Sequence, residues 1–225
     1  EIFPSLDEQY KDYINLFKEN LFEEVTIRTL DIGGDKIQDY THLENNPALG
    51  LRGIRYSLAN PNTFRTQLSA IFKVIQDKNK KIRILLPMIS NLNELNESIK
   101  TIQEVKESYH IDSKLISVGV VIETPSAVLL IKEICDIVDF VSIGTNDLIQ
   151  YTIAADRTNE TLEDIISHYQ PSVLRMLKLI KDEIPKDTYI SVCGEMANDV
   201  NCLPLFVALG VRELSMNYYS IPQIK

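Results

Sequence analysis

Short apolar runs alternate along the chain with longer stretches in which apolar residues recur every three or four positions. Six of the runs are brief and rich in β-branched residues: 25–32, 82–89, 117–123, 140–144, 189–193 and 213–216. Runs of this kind predict buried strands of a parallel sheet covered on both faces. The stretches between them carry the helical period. Tyr10, Tyr13, Ile14 and Phe17 follow Ser5-Leu-Asp-Glu8, a capping box in which serine and glutamate each satisfy a backbone N–H. Pro61 stands where a first helical residue belongs, ahead of Phe64, Leu68, Ile71, Phe72 and Ile75. Leu92, Leu95, Ile99, Ile102 and Val105 stripe another helix. Pro125 is expected to open a helix from Val128 to Val138, and Ser172 to cap one through Val173, Leu177 and Ile180. A last helix is expected to end near Gly210.

Strand alternating with helix predicts an α/β fold with parallel strands. No Gly/Ser-rich linker interrupts the 225 residues, so a single domain over 1–225 is expected. An open doubly wound sheet and a closed barrel both fit the alternation. A barrel takes eight strands and about 250 residues, so a barrel reading places about two strands outside this chain.

Composition narrows the partners. The chain is 44% hydrophobic and 24% charged, enough to bury a core, and its formal net charge is −9. That balance argues against nucleic acid, whose phosphates attract basic patches. No apolar run is long enough for a transmembrane span, and Glu1-Ile2-Phe3-Pro4 carries no secretory pattern. Cys135, Cys193 and Cys202 are odd in number and form no C-x-x-C. A disulfide framework or zinc site is therefore not expected, and a reducing cytoplasm is. His42, His110 and His168 are scattered among polar residues without metal-binding spacing, and are expected at the surface. Gly33-Gly34 makes a tight turn, not a dinucleotide fingerprint.

The candidate chemistry collects at the ends of the predicted strands. Parallel strands place their C-terminal ends on one face, where α/β enzymes put their sites. Arg28, Glu123, Asn146, Asp147 and Cys193 are therefore expected to converge. Glu123 and Asp147 on neighbouring strand ends repel unless something positive lies between them. A hard divalent cation meets that need; so does a helix N-terminus or an arginine. Arg28, Arg52, Arg55, Arg83 and Arg157 offer planar forks for phosphate or carboxylate, or ordinary salt bridges. Arg28 is expected inside an apolar strand, where its charge must be paired. Cys193 reads as a small buried hydrophobe or as a weak acid able to protonate a carbanion-like carbon.

Read together, the motifs resemble those of phosphoenolpyruvate-utilising enzymes. They are Arg28-Thr-Leu-Asp-Ile-Gly-Gly-Asp-Lys36, Asn46-Pro-Ala-Leu-Gly-Leu-Arg-Gly-Ile-Arg55, Val121-Ile-Glu-Thr-Pro-Ser-Ala127, Ser142-Ile-Gly-Thr-Asn-Asp-Leu-Ile-Gln-Tyr-Thr152, Ala155-Asp-Arg157 and Cys193-Gly-Glu195. The D-I-G-G-D-K form, Ser215-Met216 and Ser220-Ile-Pro222 resemble the phosphoenolpyruvate-binding domain of enzyme I of the bacterial phosphotransferase system more than pyruvate phosphate dikinase or phosphoenolpyruvate synthase.

The resemblance implies a (β/α)₈ TIM barrel of the phosphoenolpyruvate/pyruvate type, lacking about its first two strands here. It implies Mg²⁺ on Glu123 and Asp147, and phosphoenolpyruvate on Arg28, Arg52, Asn146, Asp147 and Arg157. It implies Cys193 as the acid that protonates enolpyruvate to pyruvate. It further implies a phosphoacceptor histidine on a separate N-terminal domain, a small phosphocarrier protein beyond it, sugar uptake as the outcome, and a homodimer. Two other expectations compete. One is a Mg²⁺-dependent lyase acting on a pyruvate enolate, against which the arginines argue. The other is a non-catalytic dimerisation fragment with open sheet edges.

Overall fold

The structure is a computed structural model that describes residues 3–18, 22–32 and 44–224. Gly33, Gly34, Asp35, Lys36 and His42 lie outside the described residues. The strands are β1 (Glu24–Arg28), β2 (Lys81–Leu86), β3 (Ile116–Ile122), β4 (Phe140–Gly144), β5 (Tyr189–Cys193) and β6 (Glu213–Leu214). They stand in one sheet in chain order. The β1–β2, β4–β5 and β5–β6 pairs are parallel, so a helical segment must return the chain between partners. The chain divides into two compact units, one of Glu1–Met88 with Leu92–Gly119, the other of Ile89–Asn91 with Val120–Lys225.

In the first unit, α1 (Leu6–Asn15) begins at the anticipated capping box. Ser5 N donates to Glu8 Oε2 at 2.8 Å, and Glu8 N donates back to Ser5 Oγ at 3.4 Å. The helix packs on α3 (Pro61–Lys78). Tyr10 OH donates to Asp77 Oδ2 at 2.6 Å, and Gln67 Nε2 donates to Tyr13 OH at 3.0 Å. Pro61 occupies the first turn of α3, as its fixed φ favours. Phe64, Leu68, Ile71, Phe72 and Ile75 form the buried stripe. Ile82, Ile84 and Leu86 of β2 are fully buried and Leu85 nearly so, which makes both faces of that strand core. The short α2 (Ile54–Ala59) and the long α4 (Leu92–Ser108) complete this unit.

Strand ends depart from the expected ranges for backbone reasons. β1 stops at Arg28 instead of running to Ile32; only Thr29 N follows, donating to Leu85 O at 2.9 Å. Arg28 is therefore the last strand residue with its side chain 52% exposed, not a charge buried within the run. β2 stops at Leu86 because Pro87 has no N–H to give and Met88 takes φ 61°.

The second unit holds β4, β5 and β6. Every residue of β4 is buried, Ser142 included, as expected of a strand covered on both faces. The helix expected from Pro125 to Val138 is two pieces, α5 (Pro125–Leu129) and α6 (Ile131–Cys135), because Leu130 leaves helical geometry at φ −104°, ψ 15°. α7 (Thr145–Ile153) starts directly after β4. α8 (Pro171–Glu183) opens on Pro171 with Gln170 at the N-cap, so Ser172 lies in its first turn and does not cap it. α9 (Leu203–Leu209) ends where Gly210 takes φ 80°, as anticipated. α10 (Ile221–Ile224) follows. Among the described residues no helix is long and apolar enough to cross a membrane.

Candidate functional site

In the first unit, positive charge gathers on one buried carboxylate. Arg52 grips Asp31 with two nitrogens, Nε to Oδ1 at 3.1 Å and Nη2 to Oδ2 at 3.2 Å, the fork geometry suited to a carboxylate. Arg28 Nη1 approaches the same Oδ2 at 3.6 Å. The local sequence allows this because Gly53 follows Arg52 at φ 59°. A Cβ there would meet Met88 Cβ at 2.8 Å and Asp31 Oδ1 at 3.3 Å. Arg55 instead pairs with Glu94 at 3.4 Å and donates to Leu49 O at 3.0 Å, and Arg83 lies 3.4 Å from Glu24. These two are the ordinary salt bridges that the sequence left open.

In the second unit, four of the anticipated residues sit at the C-terminal ends of β3, β4 and β5. Glu123 leaves β3 with only 2% of its surface exposed. It lies against Gly144: a Cβ on that glycine would come within 2.8 Å of Glu123 Oε2 and 2.6 Å of Val121 Cγ1. Thr124 anchors the turn by donating from Oγ1 to Ile89 O at 3.1 Å and accepting from Ala127 N, which caps α5. Asp147 lies in the first turn of α7, 6% exposed, where the helix dipole favours a negative charge. Arg157 Nη1 stands 3.6 Å from Asp147 Oδ2. Its backbone N donates to Gln150 Oε1 at 3.1 Å.

Cys193 closes β5. Its Sγ accepts from Ser142 Oγ at 3.5 Å and donates towards Ile143 O at 3.6 Å, and the residue is half-buried. Gly194 then takes φ 95°, which glycine adopts readily, and a Cβ there would also strike Thr145 Oγ1 at 2.4 Å and Asn146 Oδ1 at 2.8 Å. The turn is locked by Thr145 Oγ1 donating to Cys193 O at 2.9 Å and Glu195 N donating to Asn146 Oδ1 at 2.7 Å. Thus Asn146 holds the Cys193 turn in place while its neighbour Asp147 faces Arg157.

Two buried carboxylates with oxygen-only donors suit a hard divalent cation such as Mg²⁺, which takes one or two carboxylates and completes its shell with water or ligand oxygens. The donor set therefore fits the anticipated ion. Ser142, Thr145 and Asp31 escaped the sequence reading as site-supporting residues, although each stands inside or beside a motif already singled out. His168 also departs from expectation. It is half-buried, with Nδ1 3.8 Å from Asp199 Oδ2. Asp199 Oδ2 also accepts from Tyr169 OH at 2.6 Å; that hydrogen bond lowers the carboxyl's pKa and raises the phenol's. Burial pushes the neighbouring Cys202 thiol up. Only the Asp-x-x-Cys spacing hints at this cluster in the sequence.

Comparison with known proteins places these arrangements in context. A family described as "PEP-utilising enzyme, PEP-binding domain" matches residues 1–225. Phosphoenolpyruvate-protein phosphotransferase of Listeria monocytogenes is 41% identical over 97% of this chain, and that of Bacillus subtilis 40% identical over the same share. The chain spans 39% of the length of each of these relatives. Among solved structures, Haloferax volcanii malate synthase superposes with TM-score 0.59 at 11% identity, over 97% of this chain and 60% of the other. A citrate lyase from Burkholderia xenovorans LB400 gives TM-score 0.54 at 19% identity, over 72% of this chain and 52% of the other. At such identities the likeness speaks for the fold alone.

Proposed function

The chain belongs to the family of phosphoenolpyruvate-binding domains of phosphoenolpyruvate-utilising enzymes, and from that premise we propose that it is the substrate-binding part of a phosphoenolpyruvate-protein phosphotransferase of the enzyme I type. Residues 1–225 act as one domain, and their six strands belong to an eight-stranded barrel. The phosphoryl group goes to a histidine on a separate N-terminal domain and from there to a small phosphocarrier protein. The protein works as a cytoplasmic homodimer. The observation that carries this reading is the 41% identity over 97% of the chain. The set of buried Glu123, Asp147 beside Arg157, and half-buried Cys193 supports it.

Each residue has a distinct task in this mechanism. Arg28 and Arg52 share Asp31, so a phosphoryl group competes with that carboxylate for guanidinium groups that it orients. Arg157 binds the ligand from beside Asp147, and Asn146 contacts it while holding the Cys193 turn. Glu123 and Asp147 hold Mg²⁺, which when bound supplies Lewis acidity toward the ligand's oxygens. The P–O bond to the enol oxygen breaks as an N–P bond forms to the histidine. The Cys193 S–H bond breaks as a C–H bond forms at the methylene carbon, giving pyruvate; solvent then restores the thiol. The link from Ser142 Oγ to Sγ positions the thiol for that transfer.

Calorimetric titration of phosphoenolpyruvate into the chain, with Mg²⁺ and with chelator, tests the reading. Binding is expected with Mg²⁺, and it is expected to vanish with chelator and in Asp147→Ala. Equal binding with chelator, or Mg²⁺ dependence kept by Asp147→Ala, would overturn the carboxylate assignment.

A further inference from the structure

The cluster of His168, Asp199 and Cys202 has no task in the mechanism above. His168 and Tyr169 stand just ahead of α8, and Asp199 caps the turn Val200–Cys202 that leads into α9. The two oxygens of Asp199 are used differently. Oδ1 accepts from Asn201 N at 2.9 Å and from Asn201 Nδ2 at 3.1 Å, which fixes the turn. Oδ2 is the hub: His168 Nδ1 lies 3.8 Å away, Cys202 Sγ 3.7 Å and Tyr169 OH 2.6 Å. One ligand atom from each of His168, Asp199 and Cys202 falls within 4.8 Å of the other two.

The His168–Asp199 separation is long for a hydrogen bond to nitrogen, and the Cys202 thiol donates towards Asp199 Oδ2 at 3.7 Å and Tyr169 OH at 3.8 Å. The His–Asp and Cys–Asp separations also match a different occupant. Zinc bonds of about 2.0–2.3 Å at tetrahedral angles hold neighbouring ligand atoms roughly 3.3–3.8 Å apart. The His–Asp and Cys–Asp separations already reach that interval, and the third lies within 4.8 Å. The donor set is one nitrogen, one oxygen and one sulfur. A borderline-soft ion accepts all three, whereas Mg²⁺ selects oxygen. Tyr169 OH donates to Asp199 Oδ2 at 2.6 Å, as the hydrogen-bonding partners of metal ligands do.

We propose that His168, Asp199 and Cys202 form a binding site for a thiophilic divalent cation, Zn²⁺ by preference, with a water in the fourth position. The ion ties the segment before α8 to the segment before α9. This site is distinct from the Glu123–Asp147 pair and does not depend on the function proposed for it.

The test uses the full chain, stripped with chelator and titrated with Co²⁺, whose thiolate charge-transfer band in the near ultraviolet reports a sulfur ligand. The band is expected in the parent chain, to persist in Cys193→Ser and Cys135→Ser, and to disappear in Cys202→Ser. His168→Gln, at a half-buried position, is expected to keep the fold and weaken Co²⁺ binding by more than tenfold. Tyr169→Phe is expected to weaken it by about tenfold, the usual effect of losing an outer-shell partner. Zn²⁺ is expected to displace the Co²⁺. Absence of the band in the parent chain, its survival in Cys202→Ser, or unchanged affinity in His168→Gln overturns the proposal.

Discussion

At the scale of single residues, the second unit shows how glycines let charged and reactive side chains approach the backbone. Gly144 is the clearest case, since a side chain there would collide with Glu123 Oε2 and Val121. Gly144→Ala is expected to displace the Glu123 carboxylate and to destabilise the fold by about 1–3 kcal/mol, the usual cost of overpacking. Denaturant titration and Mg²⁺-dependent ligand affinity should both record the change; if neither moves, the close approach has no consequence. Cys193 is half-buried between Ser142 and the Ile143 carbonyl. Cys193→Ala, in the full-length protein, is expected to leave phosphoenolpyruvate affinity nearly unchanged and to slow pyruvate formation by about 10²-fold or more, the range of general-acid contributions. A variant that forms pyruvate at the parental rate would remove Cys193 from the role of proton donor.

The elements follow their local signals where those signals are complete. The α1 capping box is such a case, because its bonds are made by residues three apart. Ser5→Ala is expected to cost about 1 kcal/mol of stability, read from chemical denaturation. The same cap predicts a pH dependence. The hydrogen bonds from the Ser5 side chain and backbone hold the Glu8 carboxyl below its ordinary pKa. A carboxylate with a depressed folded-state pKa stabilises fully above the unfolded value and loses that contribution as pH falls through the folded one. Removing Ser5 should therefore narrow the gap between parent and Glu8→Gln stability at neutral pH, and leave little gap in acid. Elements governed by the surrounding fold were less legible. The break between α5 and α6 at Leu130 has no glycine or proline to announce it. β1 ends four residues before its apolar run does, since alternation records burial and not hydrogen-bond pairing.

For the molecule as a whole, binding linkage gives a prediction independent of any substitution. With Mg²⁺ and phosphoenolpyruvate at about a hundred times Kd, stability should rise by about 2.7 kcal/mol. A thermal shift seen with Mg²⁺ and absent with chelator is expected; an identical shift in both would place the ligand elsewhere. The sequence by itself determined the parallel α/β class, because strands buried on both faces and helices buried on one leave different periods. It also determined the family, because six motifs stand in order along the chain. Tertiary structure alone decided which charges find each other. Arg52 pairs with Asp31, Arg157 with Asp147 and Arg55 with Glu94, and no local rule chooses among 23 basic and 32 acidic residues. The His168–Asp199–Cys202 cluster was hidden for the same reason. His168 is separated from Asp199 and Cys202 by all of α8 and β5, and only folding brings the three together. Periodicity reports which side of an element is buried, whereas coordination and ion pairing depend on distances between elements.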